Sequence, residues 1–251
     1  MNKTTESFFS AILFFTRIPC PEKWTGGAGN LDRTIRFLPL IGWIVGGLGA
    51  LVFILSHFLF PIPVAVILSM TATILLSAGF HEDGFSDVCD AFGGGWKRGQ
   101  ILRIMKDSHI GAYGVLGLIL ILGTKFLALA SLPVPMIPAA LVAAHALSRF
   151  SPALLTFTHE YTRESPDSKS GSVAKKTSLP DLFLAALFAF APLLLFMDWK
   201  IFLILPPIAV AHLWLARYFK KWIGGYTGDC LGTCQQVAEI VCYLGLVALW
   251  G

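Results

Sequence analysis

Apolar residues run almost unbroken over stretches of about twenty, parted by short polar or proline-bearing intervals. An α-helix rises 1.5 Å per residue, so ~20 apolar residues cross a hydrocarbon layer about 30 Å thick. Seven stretches predict spans on this basis: 38–60, 61–80, 112–132, 134–157, 180–197, 200–216 and 230–250. The fifth and sixth are short, and their limits between 180 and 216 are the least defined. A further apolar stretch, 8–15, is too short to cross and runs into Thr16-Arg17-Ile18-Pro19 without a small-residue cleavage site. It is predicted to be an interfacial helix lying on the membrane rather than a signal peptide. The expected fold is therefore all-α: a polytopic helical bundle of about seven transmembrane helices plus the N-terminal interfacial helix, forming one membrane-embedded domain over 1–251.

Composition agrees. The 251 residues are 55% hydrophobic and only 14% charged, with a mean hydropathy of +0.71; a soluble domain carries roughly a quarter charged residues. The placement of charge says more than its sum. Of the nineteen Lys and Arg, all but Lys125, Arg149 and Lys200 lie before span one or after spans two, four and six. The tight connections at Pro61 and Pro63, and at Pro133, Pro135 and Pro138, carry none. By the positive-inside rule the basic side is cytoplasmic, with the N-terminus inside and the C-terminus outside. The chain is expected to lie among membrane lipid, and no nucleic-acid partner is expected. The five cysteines (Cys20, Cys89, Cys230, Cys234, Cys242) form no Cys-x-x-Cys pair and are expected to stay reduced, with Cys230 and Cys234 serving as small packing residues. The polar, serine-rich stretch 162–178 reads as a loop.

Four groups of residues could carry chemistry. The first is Ala78-Gly-Phe-His-Glu-Asp-Gly-Phe-Ser-Asp-Val-Cys-Asp90, where His81, Glu82, Asp83, Asp87 and Asp90 crowd the end of the second span. Asp83, Asp87 and Asp90 fall at i, i+4 and i+7, on one helical face, where like charges repel. A divalent cation relieves that repulsion, and hard carboxylate oxygens suit Mg²⁺ or Mn²⁺; a solvated acidic helix end is the plainer alternative. The second is Arg103-Ile-Met-Lys-Asp-Ser-His-Ile-Gly-Ala-Tyr-Gly114, with Asp107-Ser108 resembling a helix cap and Lys106 beside two glycines. The third is Gly224-Gly-Tyr-Thr-Gly-Asp-Cys-Leu-Gly232, a glycine-rich turn before the last span that could offer backbone N–H groups to a phosphate. It lacks the Gly-Lys-Ser/Thr of a P-loop, and Asp229 reads equally as an N-cap or a further metal ligand. The fourth lies within the spans: Lys125, His145, Arg149 and Glu239. Intramembrane ionisable groups default to function; Arg149 could clamp a phosphate, while Lys125 could snorkel or simply pair with Glu239.

On the predicted topology the first three groups and Arg149 share the cytoplasmic side. Carboxylates, a cation and an Arg are the equipment of phosphoryl transfer, whereas a carrier would place its polar groups near the midplane. The expected metal ligands are Asp83, Asp87, Asp90, Glu82 and Asp229, holding Mg²⁺. Asp90, ahead of His81, is the expected base, with Arg149 neutralising phosphate charge. Lys106, Asp107 and Ser108, together with Gly225, Thr227 and Gly228, are expected to contact substrate.

At these residues the sequence resembles the cobalamin synthases, the adenosylcobinamide-GDP ribazoletransferases. The likeness runs the whole length, in order: Phe14-Phe-Thr-Arg-Ile-Pro19, Phe37-Leu-Pro-Leu-Ile-Gly42, Gly79 to Asp90, Arg103 to Ser108 with Gly111 and Gly114, Ser148-Arg149, and Gly224 to Asp229 with Leu231-Gly232. It departs at Ala91, where several relatives have Gly, and at His109, where many have Arg. The resemblance implies Mg²⁺-dependent transfer of the adenosylcobinamide phosphoryl group from adenosylcobinamide-GDP to α-ribazole or its 5′-phosphate, with release of GMP. It also implies a place in the bacterial cytoplasmic (inner) membrane, and the corrinoid cobalt is then a substrate atom. The alternatives are a CDP-alcohol-type phosphotransferase, whose Asp-Gly-x-x-Ala-Arg signature is broken here by Ser86-Asp87, and a membrane transporter. Assembly as a homo-oligomer is left open.

Overall fold

The computed structural model describes residues 2–25, 33–162 and 177–251. Most of the serine-rich stretch, with Arg163, Lys169, Lys175 and Lys176, lies outside the described residues. Twelve α-helices follow one another among the described residues: α1 Lys3–Phe15, α2 Glu22–Thr25, α3 Leu38–His57, α4 Ile62–Leu76, α5 Phe80–Gly94, α6 Arg98–Ile104, α7 Ala112–Ser131, α8 Ile137–Ser148, α9 Phe150–Thr158, α10 Leu179–Phe190, α11 Leu205–Ile223 and α12 Gly228–Trp250. Short 3₁₀ turns extend several of them. There is no strand among the described residues; a single parallel bridge joins Tyr161 to Tyr226.

Six helical runs are long and apolar enough to cross a bilayer, and α4 with α5 makes a seventh if that bent pair counts as one span. With their 3₁₀ turns included, the fifth run, Leu179–Phe196, lies one residue from its predicted limits, and the sixth, Trp199–Ile223, is longer than the sequence suggested. α8 and α9 are parts of one run, Val134–Thr158. Pro152 lacks the N–H that would bond the carbonyl four residues earlier, which accounts for the break at Arg149. This run and α12 form the buried centre, while α7 and α10 stand outside it. The outer helices point large apolar side chains outward, such as Leu116, Ile119 and Leu120 on α7 and Phe183 on α10, as a lipid-facing surface requires. α3 crosses α8 at backbone contact: a Cβ on Gly42 would sit 2.3 Å from the His145 carbonyl oxygen, and one on Gly46 2.6 Å from that of Leu141. Small residues spaced four apart allow such crossings between membrane helices.

The second predicted span needs correcting. α4 is only 15 residues long, and the chain then turns by 89° into α5. The turn is made by consecutive left-handed residues, Ala78 (φ 57°) and Gly79 (φ 64°). The Gly79 N–H returns to the Ile74 carbonyl at 2.9 Å and caps α4. The acidic motif is therefore a separate helix set across the bundle. At the N-terminus α1 covers the predicted short helix 8–15 and starts earlier, at Lys3. It buries Ser7, Ser10, Ala11, Ile12 and Phe15, and its end is tied to α4 by a 2.8 Å bond from the Arg17 N–H to the Leu76 carbonyl. All five cysteines are free thiols.

Candidate active site

α5 is clasped by the starts of two other helices. On one side Gly84 lies against α12: a Cβ there would be 3.0 Å from the Asp229 Cα and 3.1 Å from its carbonyl oxygen. Only a residue without a side chain lets the two backbones come so close. On the other side Asp90 reaches α7. Its two carboxylate oxygens accept the N–H groups of Gly111 at 2.7 Å and Gly114 at 2.9 Å. α7 has no side-chain cap of its own, so Asp90 supplies one from a distant helix and sets negative charge at the positive pole of α7. At 100° per residue Asp83 and Asp87 fall between the Gly84 and Asp90 faces. Asp83 is exposed, and Asp87 and Asp229 are half-buried.

The glycine-rich turn has a local role at each position. Gly224 (φ 83°) ends α11 in the left-handed region. Gly225 lies against 160–162, where a Cβ would be 2.2 Å from the Glu160 carbonyl oxygen. Thr227 is the buried N-cap of α12 and accepts from the Cys230 N–H at 3.4 Å. Asp229, in the first turn, is thus not the N-cap. Asp107-Ser108 does not cap α7 either. Lys106, Asp107 and Ser108 lie in the exposed loop before it, where the His109 ring (2.7 Å) and backbone N–H (3.1 Å) bond the Asp107 carboxylate. Those bonds hold Asp107 below the usual carboxylate range.

Two expected site residues face the interior instead. Glu82 is one residue, hence 100°, from Asp83, and its Oε1 accepts from Gln236 of α12 at 3.0 Å. Arg149 is 2% exposed and donates to the His145 carbonyl at 2.8 Å. Glu82 is thereby turned away from the acidic face, and Arg149 is positioned to brace the bundle rather than clamp a surface phosphate. Both belong to a buried polar network. Lys125 pairs with Glu239 at 2.9 Å and donates to Gln236 at 2.8 Å; Gln235 donates to Ser148 at 3.0 Å and to Glu239. The plain reading of Lys125 as a partner of Glu239 is the one found. Gln235 and Gln236 went unnoticed in the sequence, although two adjacent amides in an apolar span are a visible signal. His81, 3% exposed, makes no side-chain hydrogen bond among the described residues.

The residues present suit Mg²⁺. Among the described residues no three His, Cys, Asp or Glu side chains are grouped closely enough to hold a metal by themselves. Mg²⁺ is commonly held by one or two carboxylates, with water and substrate phosphates supplying the rest. Asp83, Asp87 and Asp229 offer hard oxygens of that kind. Asp229 also accepts from Thr227 Oγ1 at 3.3 Å through Oδ2; Asp90, with both oxygens engaged by α7, and Glu82, turned inward, are the weaker of the expected ligands.

The profile of the family described as Cobalamin-5-phosphate synthase matches residues 7–247. The chain belongs to this cobalamin-5-phosphate synthase family. It is a transferase of cobalamin biosynthesis built as a multi-pass helical membrane protein. Among its relatives, a protein of Shewanella amazonensis is 45% identical over 99% of this chain and 97% of its own length. One of Shewanella oneidensis is 41% identical over 100% and 97%, and one of Leptospira interrogans is 39% identical over 100% and 99%. Each is named adenosylcobinamide-GDP ribazoletransferase. No solved structure matches the chain.

Proposed function

We propose that this synthase transfers the adenosylcobinamide phosphoryl group from adenosylcobinamide-GDP to α-ribazole or its 5′-phosphate, releasing GMP. A ribose hydroxyl attacks the phosphorus on the corrinoid side, the bond from that phosphorus to the GMP oxygen breaks, and GMP leaves with the electron pair. The observation that carries this reading is the backbone contact of Gly84 with Asp229. It sets the acidic face of α5 beside the N-terminus of α12, whose positive pole favours a phosphate.

Asp83, Asp87 and Asp229 would hold Mg²⁺, which supplies charge neutralisation at the diphosphate when bound. The exposed loop with Lys106, Asp107 and Ser108, and the start of α12 at Gly228, border the site and orient the substrate. Asp90 fixes α7 through its two amide bonds, so His81, an imidazole without a hydrogen-bond partner among the described residues, takes the proton of the ribose hydroxyl. The basic residues around these elements support a site on the cytoplasmic face of a bacterial inner membrane.

The test is GMP release by purified protein given adenosylcobinamide-GDP and α-ribazole. Chelation should stop it and Mg²⁺ restore it. Asp83→Asn and Asp87→Asn should each lower turnover by about a hundred-fold or more, and Asp83→Asn should do so at unchanged thermal stability. GMP release that survives chelation would remove the metal, and an absence of release with both substrates present would remove the reaction.

A further inference from the structure

The acidic stripe of α5 has a twin one residue behind it. Glu82, Ser86 and Cys89 also fall at i, i+4 and i+7, so they share a face, about 100° round the helix from Asp83, Asp87 and Asp90. This second face is turned to α7. A Cβ on Gly117 would be 2.7 Å from the Cys89 Sγ, and one on Gly114 would meet the Ser86 Oγ. Because the two faces are a fixed angle apart, the roll of α5 about its own axis decides where Asp83 and Asp87 point.

What resists that roll differs along the helix. At the far end Asp90 bonds Gly111 and Gly114 of α7. In the middle Ser86 and Cys89 rest on glycines, which offer no side chain to grip. At the near end the hold is Glu82, whose Oε1 accepts from Gln236 Nε2 at 3.0 Å. Gln236 is 1% exposed, and the direction of its amide is fixed. Its Oε1 accepts from Lys125 Nζ at 2.8 Å, and its Nε2 also donates to Gln235 Oε1 at 2.8 Å. An ammonium only donates. The oxygen of Gln236 must therefore face Lys125, and its N–H groups must face Glu82 and Gln235. Turning the amide over would set an oxygen against two acceptors and an N–H₂ group against a cation, mismatches that are costly in a buried place. The Lys125–Glu239 pair thus does more than cancel charge: it orients the amide that grips the acidic helix.

We propose that Gln236 is a positioning residue of the transfer reaction, holding Glu82 so that the roll of α5 presents Asp83 and Asp87 beside Asp229. The inference rests on the reaction and metal site proposed above and adds what aims the carboxylates. Glu82 then acts through its hydrogen bond, neither by its charge nor as a metal ligand.

Glutamine at 82 keeps an acceptor oxygen, whereas methionine, of similar length, does not. Two readouts need no turnover. Mg²⁺ affinity is taken by calorimetry with adenosylcobinamide-GDP present. The roll of α5 is read from the rate at which N-ethylmaleimide labels Cys89, a half-buried free thiol, located by peptide mass spectrometry. Glu82→Met and Gln236→Met should each weaken Mg²⁺ about ten-fold and label Cys89 several-fold faster, whereas Glu82→Gln should stay within about two-fold of wild type on both. The double methionine variant should be no worse than either single one. If Gln236→Met does not fold, the comparison at the half-buried Glu82 decides alone. Wild-type Mg²⁺ affinity and labelling in Glu82→Met would overturn the positioning role. So would a Glu82→Gln protein as impaired as Glu82→Met, which would make the charge of residue 82 the cause. Failure of the reaction reads differently. The expected shifts in affinity and labelling, with no GMP release by the wild type, keep the positioning role and remove the reaction. GMP release by the wild type, with neither readout moved by the variants, removes the positioning role alone.

Discussion

Lys125 of α7 and Glu239 of α12 meet at 2.9 Å inside the bundle, their side chains 5% and 2% exposed. Around them Gln235, Gln236, His145 and Arg149 satisfy most of the buried polar atoms, although the Glu82 Oε2, the Arg149 Nε and the Tyr243 hydroxyl have none of the described partners. A charge in so dry a place is tolerated because the opposite charge is beside it. Removing one partner leaves the other uncompensated. Lys125→Met alone should therefore cost about 3–5 kcal/mol of stability, and Glu239→Gln alone a similar amount. The double variant should lose less than either loss would suggest by addition. Thermal unfolding of the four proteins in detergent closes the cycle, and strict additivity would show that the pair is not coupled.

The contact of Gly84 with Asp229 sets a tighter test of the site. An alanine Cβ would lie 3.0 Å from the Asp229 Cα, against backbone that cannot rotate away. Gly84→Ala should force α5 and α12 apart by a few tenths of an ångström and lower turnover several-fold. Gly84→Val adds two methyl groups at the same place, costs about 1–3 kcal/mol of packing, and should lower turnover by about ten-fold or more. If Gly84→Val turns over at the wild-type rate, the juxtaposition of α5 and α12 is not what organises the site.

Much of this arrangement was legible beforehand, for identifiable reasons. Spans are written in composition, because lipid demands apolar residues along a fixed length of helix. The shared face of Asp83, Asp87 and Asp90 follows from spacing alone. The 89° turn after Leu76 was not legible, because alanine at 78 carries no mark of a left-handed conformation; a glycine pair would have drawn notice. The direction of Asp90 was hidden too. Its partners, Gly111 and Gly114, lie more than twenty residues on, and a helix capped from outside lacks the local Ser, Thr or Asp that usually announces a start. Arg149 misled for a related reason. Its position toward one end of an apolar run suggested the surface, whereas the break at Pro152 and the crossing of α3 bury it.

Asp90 separates a positioning role from a catalytic one. Both its oxygens accept backbone N–H groups of α7, and an amide in its place can accept with only one. Asp90→Asn should thus lower thermal stability by about 1–2 kcal/mol, since a capping bond is lost and an N–H₂ group then faces a donor. It should leave Mg²⁺ binding, read by isothermal calorimetry with the diphosphate substrate present, close to the wild-type value. Asp83→Asn should behave the opposite way, stable but weakened toward Mg²⁺. An Asp90→Asn protein with unchanged stability and no Mg²⁺ binding would return Asp90 to the metal site.

The turn that directs α5 rests on Ala78, held at φ 57° beside Gly79 at φ 64°. An L-residue in this region carries a clash between Cβ and backbone worth about 1–2 kcal/mol. Glycine removes the clash but gives the unfolded chain more freedom, which takes back about 0.4–1 kcal/mol. Ala78→Gly should accordingly stabilise the protein slightly, by about 0.5–1 kcal/mol on balance, and leave GMP release unchanged because the path of the chain is the same. Ala78→Val goes the other way. A β-branched side chain is a poor fit at positive φ, so the turn should open and α5 should swing away from Asp229. Stability and turnover should then fall together. Thermal unfolding and GMP release of the two variants, measured side by side, decide the matter: an Ala78→Gly protein less stable than the wild type would mean that the left-handed turn is not the conformation that aims the acidic helix.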